Sequence, residues 1–298
     1  MITLLSKGLV RRQEKSNAKP LDIILAENLR DAGLYVKNSL QSILCVTYPI
    51  DDLVGLIETS IGKMVPIIPL AELEKDPLIV FAEPYNTLIL DGKGFKSPIP
   101  KVKGLAPKDN IKAWVDRNAF IHNLGHATAA YYGHSLHPEA VYLYEILEDQ
   151  NVFRFARNTM LQSADILITA YPNDFAASDL KDHIDDLLHR FRNKALLDTI
   201  FRVGEDLTRK LSADDRFMGS IHLAIKYGIP YNLIVEAMSF GFFFRAKDEE
   251  GNLFPPDVTF LKSLSNDFES TLINDLGFDP KADKNVIEEL KRFYKKQL

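Results

Sequence analysis

The sequence predicts an incomplete α/β domain over residues 1–108, followed by an all-α domain over residues 109–298. Three short apolar runs bounded by turn residues lie in the first third of the chain, as β-strands require. From about Asp109 onward, apolar residues instead recur at helical spacing almost without a break. Seven or eight helices with short connections predict one large helical domain.

The first domain contains three predicted strands. Residues 21–26 are typical of a buried strand ending before Glu27-Asn28, and two further strands are predicted at 78–82 and 87–91. A Pro-containing turn separates the last two. Three strands are few for a stable sheet covered on both faces, so this domain is expected to be incomplete.

The second domain is divided by glycine and proline residues into predicted helices. Asp109 or Asn110 is available to cap the first of them. The predicted helices cover residues 109–132, 138–167, 178–192, 195–210, 213–227, 230–244, 256–275 and 284–296.

Composition excludes several classes of protein. A net charge of −5 argues against a nucleic-acid binder that acts through bulk electrostatics. The apolar runs are strand-sized, too short to span a membrane, and the N-terminus lacks the charge order of a secretory signal. Cys45 is the single cysteine, which suits a reducing compartment, so a cytoplasmic location is expected.

The first predicted helix carries the most informative side chains. At about 100° per residue, Asn118, His122 and Gly125 fall on its apolar stripe, while His126 borders the stripe and Asn123 lies one step further around. Asn123 and His126 can both donate to one oxygen, as polarisation of a carbonyl or alkoxide requires. A pair satisfied within the core is the alternative interpretation.

Two familiar kinds of site are not predicted. His122 and His126 have the spacing of a helical zinc site, but the acidic base of such sites is replaced by Asn123, so no metal is expected. The dinucleotide fingerprint Gly-x-Gly-x-x-Gly does not occur in these 298 residues, and neither does a P-loop motif.

Residues 190–216 hold basic residues mixed with acidic ones. One interpretation is a solvated, salt-bridged pair of helices. The other is a pocket that binds a phosphate or carboxylate through bidentate donors. The basic residues are Arg190, Arg192, Lys194, Arg202, Arg209, Lys210 and Arg216.

Several ordered blocks together resemble the polyol-specific long-chain dehydrogenases of the mannitol dehydrogenase family, most closely the mannitol-1-phosphate 5-dehydrogenase branch. The resemblance covers nearly the whole chain. The blocks are Lys7-Gly-Leu-Val-Arg-Arg12, Pro20-Leu-Asp-Ile-Ile-Leu-Ala-Glu-Asn28, Asp76-Pro-Leu-Ile-Val-Phe-Ala-Glu-Pro84, Phe120-Ile-His-Asn-Leu-Gly-His-Ala-Thr-Ala-Ala-Tyr131, Arg190-Phe-Arg-Asn193, Asp198, Arg202-Val-Gly204, Arg209-Lys-Leu-Ser-Ala-Asp-Asp-Arg216 and Tyr227-Gly-Ile-Pro230.

The resemblance implies a fold and an activity. Residues 1–108 would be the C-terminal part of a Rossmann-type domain, and residues 109–298 a helical domain like that of 6-phosphogluconate dehydrogenase. Such enzymes interconvert mannitol 1-phosphate and fructose 6-phosphate with NAD and without a metal. Asn123 and His126 would polarise the substrate oxygen, and Glu27 and Asn28 would lie beside the cofactor. The implied substrate-binding residues are Asn28, Arg190, Arg202, Arg209, Lys210 and Arg216, with Arg209 and Lys210 expected to face the phosphate.

Two departures from the family pattern bear on activity. The sequence is expected to begin after the strand and turn that carry the glycine fingerprint, and Asn118 occupies the position of the family's catalytic lysine. An amide cannot accept the alcohol proton near neutral pH. The chain alone is therefore expected to be an inactive relative of the dehydrogenase; the alternative is a non-catalytic protein that binds a sugar phosphate or polyol. A second copy of the chain or a separate nucleotide-binding chain is the expected protein partner.

Overall fold

The structure is a computed structural model that describes residues 1–15, 19–66 and 68–297. These residues form two compact units. The sheet unit comprises Met1–Lys63 and Glu83–Asn118, and the helical unit comprises Met64–Ala82 and Ala119–Leu298. Among the described residues, no helix is both long and apolar enough to cross a membrane.

The elements follow one another along the chain in two sets. The strands are β1 (Leu21–Leu25), β2 (Val54–Ser60), β3 (Leu88–Asp91) and β4 (Leu105–Lys108). The α-helices are α1 (Ile2–Glu14), α2 (Ala32–Gln41), α3 (Ile50–Leu53), α4 (Leu70–Lys75), α5 (Ile111–Arg117), α6 (Leu124–Leu136), α7 (Leu143–Ile146), α8 (Gln150–Ala170), α9 (Ala177–Phe191), α10 (Ile200–Gly204), α11 (Leu207–Lys210), α12 (Arg216–Tyr227), α13 (Asn232–Gly241), α14 (Pro255–Asn266), α15 (Phe268–Asn274) and α16 (Lys284–Gln297).

The sheet of the first unit has the order β1-β2-β3-β4. β1 and β2 are parallel, β2 and β3 antiparallel, and β3 and β4 parallel. The strand predicted at 21–26 is confirmed as β1, and that at 87–91 as β3. The predicted burial of the first strand is wrong, since none of its residues is buried and Ile24 is 42% exposed. The strand predicted at 78–82 is wrong: among the described residues no strand pairs with this segment, and Leu78 is 86% exposed.

Sequence patterns missed two strands. β2 contains Gly55 and Glu58, which weaken an otherwise apolar run. β4 contains Pro107, which cannot donate to a ladder and is therefore tolerated only at the edge position that β4 occupies. Helices α1 and α2 bury Leu9 and Leu40 in a cluster with Val54 of β2, which forms the core of this unit.

The helical unit confirms the predicted all-α domain but divides some of its helices. The helices predicted at 178–192, 213–227, 230–244 and 284–296 are confirmed as α9, α12, α13 and α16. Three longer predictions are wrong as continuous helices. Residues 138–167 form α7 and then α8, 195–210 form a 3-10 turn followed by α10 and α11, and 256–275 form α14 and α15.

Gly204 at the end of α10 allows close packing in this unit. A Cβ at this position would overlap the ring of Phe244. Phe244 is itself buried and packs against Tyr131 at 5.1 Å between ring centroids, while the Tyr131 hydroxyl donates to the Gly204 carbonyl at 3.1 Å. A rigid aromatic ring held from both sides cannot move aside cheaply.

We therefore expect Gly204→Ala to lower the free energy of unfolding by about 1–3 kcal/mol, because the added methyl group overpacks the Phe244 contact. Chemical denaturation measures this change. Gly8 is the matched control: it lies in α1 with open space where a Cβ would stand, so Gly8→Ala should stabilise by up to about 1 kcal/mol. Equal effects of the two substitutions would contradict the packing argument.

Candidate functional site

The predicted first helix contains an irregular turn. α5 passes into a π-helical turn at Asn118–Asn123, and α6 follows directly. A π turn changes the helical register, so the stripe predicted at 100° per residue does not continue unchanged across it. Such turns are frequent at functional sites. Here the turn ends at Asn123 and places His126 in the first turn of α6.

The His126 ring is held between an aromatic ring and a carboxylate. It stacks on Phe191 with ring centroids 4.5 Å apart and planes inclined by 16°. Its Nε2 atom lies 3.5 Å from Oδ2 of Asp198. Burial lowers the pKa of His126, and the nearby Asp198 carboxylate only partly opposes that effect. A neutral imidazole is the form suited to polarising a carbonyl oxygen.

Asp198 connects His126 to Arg202. The carboxylate is 5% exposed and forms an ion pair with the Arg202 guanidinium four residues later. Burial alone would raise the pKa of Asp198, but His126 and Arg202 outweigh it and lower the pKa to about 2. Sequence reasoning did not select Asp198 as a site residue, although an Asp followed four residues later by Arg is a signal for such a pair.

The backbone of Asn123 is held by Arg216. Its backbone carbonyl accepts a hydrogen bond from Arg216 at 3.3 Å, and Arg216 is itself 7% exposed. The Arg216 guanidinium also donates to Asp215 at 2.8 Å. Asp215, the N-cap residue of α12, therefore holds Arg216 against the turn that carries Asn123.

Lys210 is the most unusual cation of this region. It is 6% exposed, and its Nζ donates to the Val203 carbonyl at 2.8 Å. Burial lowers its pKa to about 7, and the charges of Arg216 and Arg209 add to that effect. The charge of Lys210 also lowers the pKa of His126. Within the described residues Lys210 has no carboxylate at ion-pair distance, in contrast to the neighbouring arginines.

The remaining predicted cations lie at the edge of this cluster. Arg209 is 56% exposed and pairs with Asp206 at 2.5 Å and with Asp215 at 3.3 Å. Arg190 on α9 lies 3.5 Å from Asp186, one helical turn earlier. The helical unit thus brings together Asn123, His126, Arg202, Lys210 and Arg216. Phe191, Asp198 and Asp215 lie beside them, although the sequence analysis did not predict them as site residues.

Three predicted site residues lie in the sheet unit. The Asn28 amide is engaged twice with Ile61: its Nδ2 donates to the Ile61 carbonyl at 2.8 Å, and its Oδ1 accepts from the Ile61 amide at 2.7 Å. The Glu27 carboxylate accepts from the Asn28 amide at 2.9 Å. Asn118, at the start of the π turn, is 7% exposed.

The turn after β1 does not fit a pyrophosphate. Residues 26–31 contain no glycine, and the amide of Gly33 in the first turn of α2 donates to Oε1 of Glu58 at 2.8 Å. A carboxylate therefore already binds an amide at the N-terminus of α2, where an anion could otherwise bind. NAD binding through this β–α turn is not supported by the residues present.

Two family models match this chain, one over most of the sheet unit and one over most of the helical unit. Residues 1–104 match the mannitol dehydrogenase Rossmann domain, and residues 110–274 match the mannitol dehydrogenase C-terminal domain. Together these matches span most of the chain. The chain belongs to the mannitol dehydrogenase family, with a small Rossmann-like sheet preceding its helical domain.

Solved structures show the same fold. A mannitol 2-dehydrogenase of Pseudomonas fluorescens, in ternary complex with NAD and D-mannitol, is similar over 96% of this chain and 61% of its own length, with a TM-score of 0.71 and 17% identity. A D-sorbitol dehydrogenase in substrate-free form is similar over 99% of this chain and 64% of its own length, with a TM-score of 0.75 and 17% identity. The chain thus spans less than two thirds of the length of either.

Proposed function

We propose that this chain binds a hexitol phosphate, such as mannitol 1-phosphate or its ketose partner fructose 6-phosphate, and does not by itself carry out NAD-linked hydride transfer. The observation that carries this proposal is the grouping of a half-buried amide, a neutral imidazole and a buried lysine without a carboxylate partner. Family membership supplies the class of ligand, and mannitol 1-phosphate is the member expected from the sequence blocks.

The site offers complementary contacts to the two ends of such a ligand. Asn123 and His126 present donors for a hydroxyl or carbonyl oxygen. A phosphate near Lys210 would favour the charged ammonium form, because opposite charges at close range stabilise each other in a poorly solvated environment. The neighbouring arginines are largely neutralised by Asp198, Asp206 and Asp215. Lys210 is therefore the cation whose charge a bound phosphate would stabilise most.

The absence of turnover rests on two features of these 298 residues. Asn118 stands where the family pattern has its lysine, and loss of a general base commonly costs about 10²–10⁴ in rate. The glycine fingerprint that would place a pyrophosphate at a helix N-terminus does not occur in the sequence. We therefore expect this chain to bind the hexitol phosphate without oxidising it.

Differential scanning fluorimetry tests the binding. Mannitol 1-phosphate at about 100 times its dissociation constant should raise the melting temperature by several degrees, whereas NADH should leave it unchanged. His126→Asn should abolish the response because it removes the imidazole donor. The control His189→Asn replaces an exposed histidine on α9 and should retain the response. No stabilisation of the wild type by mannitol 1-phosphate or fructose 6-phosphate would refute the proposal.

An absorbance assay tests the absence of turnover. Purified protein with fructose 6-phosphate should show no consumption of NADH above the rate without protein. Consumption that disappears in His126→Asn would show instead that the chain is a working dehydrogenase on its own.

A further inference from the structure

The outer side of β1 is an open edge of the sheet. β1 pairs with β2, and among the described residues no strand lies on its other side. Backbone N–H and C=O groups on such a side can pair with a further strand. β4 forms the opposite edge, where Pro107 lacks the N–H that pairing needs. β1 contains no proline and no lysine, the residues that commonly protect an edge from association.

The apolar side chains of β1 are incompletely covered. Because side chains alternate along a strand, Leu21, Ile23 and Leu25 share one face of the sheet. Leu21 and Ile23 pack against the cluster formed by α1, α2 and β2, yet all three residues stay only partly buried. Ile24, on the other face, is 42% exposed. A strand placed along this edge would remove more of this apolar surface from water.

The sequence of β1 is complementary to itself in one antiparallel register. When two copies pair about a twofold axis through Ile23, all five residues of the strand find a partner. Ile23 then lies opposite Ile23 of the second copy, and Leu21 lies opposite its Leu25. These pairs join the apolar face of one strand to that of the other, which is the arrangement that stabilises neighbouring strands.

The charged residue of β1 does not oppose this pairing. Asp22 lies opposite Ile24 of the second copy, on the face away from the apolar cluster. Its carboxylate already accepts hydrogen bonds from the backbone amides of Lys96 and Ser97, at 2.8 and 3.1 Å. Asp22 therefore needs no partner across the edge, and the carboxylate is not left unsatisfied when a second strand approaches.

The same register pairs opposite charges at both ends of the strand. Lys19 lies two residues before β1 and Glu27 two residues after it, and both are exposed. Each is four residues from the axis at Ile23, so Lys19 of one copy lies opposite Glu27 of the other, and the symmetry repeats the pair. Opposite charges directly across an antiparallel pair are stabilising, and like charges are destabilising. A shift of the register by two residues would place Leu21 opposite Glu27 instead.

We propose that two copies of this chain form a dimer through antiparallel pairing of their β1 strands, with Ile23 on the twofold axis. The two four-stranded sheets then become one continuous sheet in which β1 is a central strand. Because the axis is perpendicular to the joined sheet, α1 and α2 of both copies cover the same face. The interface lies in the sheet unit and does not depend on the proposed binding of a hexitol phosphate.

Sedimentation equilibrium of the 298-residue protein tests the dimer and its register. At about 100 μM, the wild type should have twice the mass of the 33.8 kDa chain. Lys19→Glu and Glu27→Lys each place like charges at both ends of the paired strands. Either substitution should therefore raise the dissociation constant of the dimer at least about tenfold. Lys103→Glu reverses an exposed charge near the other edge of the sheet, before β4, and should associate like the wild type.

A mixture of the two charge-reversal variants checks the register itself. In a heterodimer of Lys19→Glu with Glu27→Lys, both ends again carry opposite charges, so the equimolar mixture should associate as tightly as the wild type. The proposal is overturned if the wild type is a monomer at about 100 μM or if the single variants associate as tightly as the wild type. It is also overturned if the mixture is as weak as the single variants, or if Lys103→Glu weakens the dimer as much as Lys19→Glu does.

Discussion

Lys210→Met is expected to stabilise the protein below pH 7 and to lose that advantage as the pH rises toward 10. The pKa of Lys210 is lowered by burial from 10.5 to about 7 in the folded protein. Below pH 7 both folded and unfolded chains carry the charge, so the full cost of burying an ammonium group is present. Between pH 7 and 10.5 the folded chain releases its proton while the unfolded chain keeps it, and the wild type gains stability.

The size of this effect makes it measurable. A lowering from 10.5 to about 7 corresponds to at most roughly 5 kcal/mol over the whole interval, and about 2 kcal/mol between pH 7 and pH 9. Denaturant titrations of wild type and Lys210→Met across this range give the difference directly. Lys262→Met, at an exposed position on α14, is the control and should run parallel to the wild type. If the free energy of unfolding of Lys210→Met follows the same pH dependence as that of the wild type, the pKa of Lys210 is not lowered in the folded protein.

Asp198→Ala is expected to destabilise the protein by about 3 kcal/mol at pH 7. Its carboxylate is 5% exposed and faces both Arg202 and His126, so its removal leaves a guanidinium without its partner. We expect the lower end of the range for broken buried pairs, because Arg202 is 37% exposed and can turn toward water. The pKa of Asp198 is lowered, so its stabilisation is present above pH 3.8 and is lost as the pH falls through about 2.

An exposed ion pair provides the matched comparison. Asp185 accepts from Arg157 at 2.7 Å, but the two side chains are 46% and 26% exposed. Asp185→Ala should therefore cost only about 0.2–1 kcal/mol. If Asp198→Ala costs no more than Asp185→Ala, the carboxylate does not organise His126 and Arg202. A double-mutant cycle of Asp198→Ala with Arg202→Ala then measures the coupling between them.

The sequence predicted the two kinds of unit because helical and strand patterns differ in period over long stretches. It did not predict β4, whose Pro107 argues against a strand unless the edge position is known. It placed a strand at 78–82 because local apolar character cannot show whether a neighbouring strand exists. The division of long helices into shorter ones depends on packing that only the folded chain defines.

The sequence predicted which types of residue form the candidate site, but it did not predict which of them are buried or which partners they contact. The spacing of Asn123 and His126 indicated a donor pair, whereas the π turn that positions them left no mark in the apolar pattern. Among the basic residues of 190–216, the resemblance named Arg209 and Lys210 together as the pair expected to face the phosphate. The structure distinguishes buried Lys210 from exposed, carboxylate-paired Arg209, because burial depends on the surrounding helices. Whether these residues bind a ligand remains a prediction.

Isothermal titration of mannitol 1-phosphate at pH 8, in two buffers of different ionisation enthalpy, tests the central proposal most directly. Lys210 is mostly neutral in the free protein at this pH, and a bound phosphate would restore its proton. We predict binding with an uptake approaching one proton per ligand in the wild type and no uptake in Lys210→Met. Absence of binding, or binding whose heat is the same in both buffers, would contradict the account.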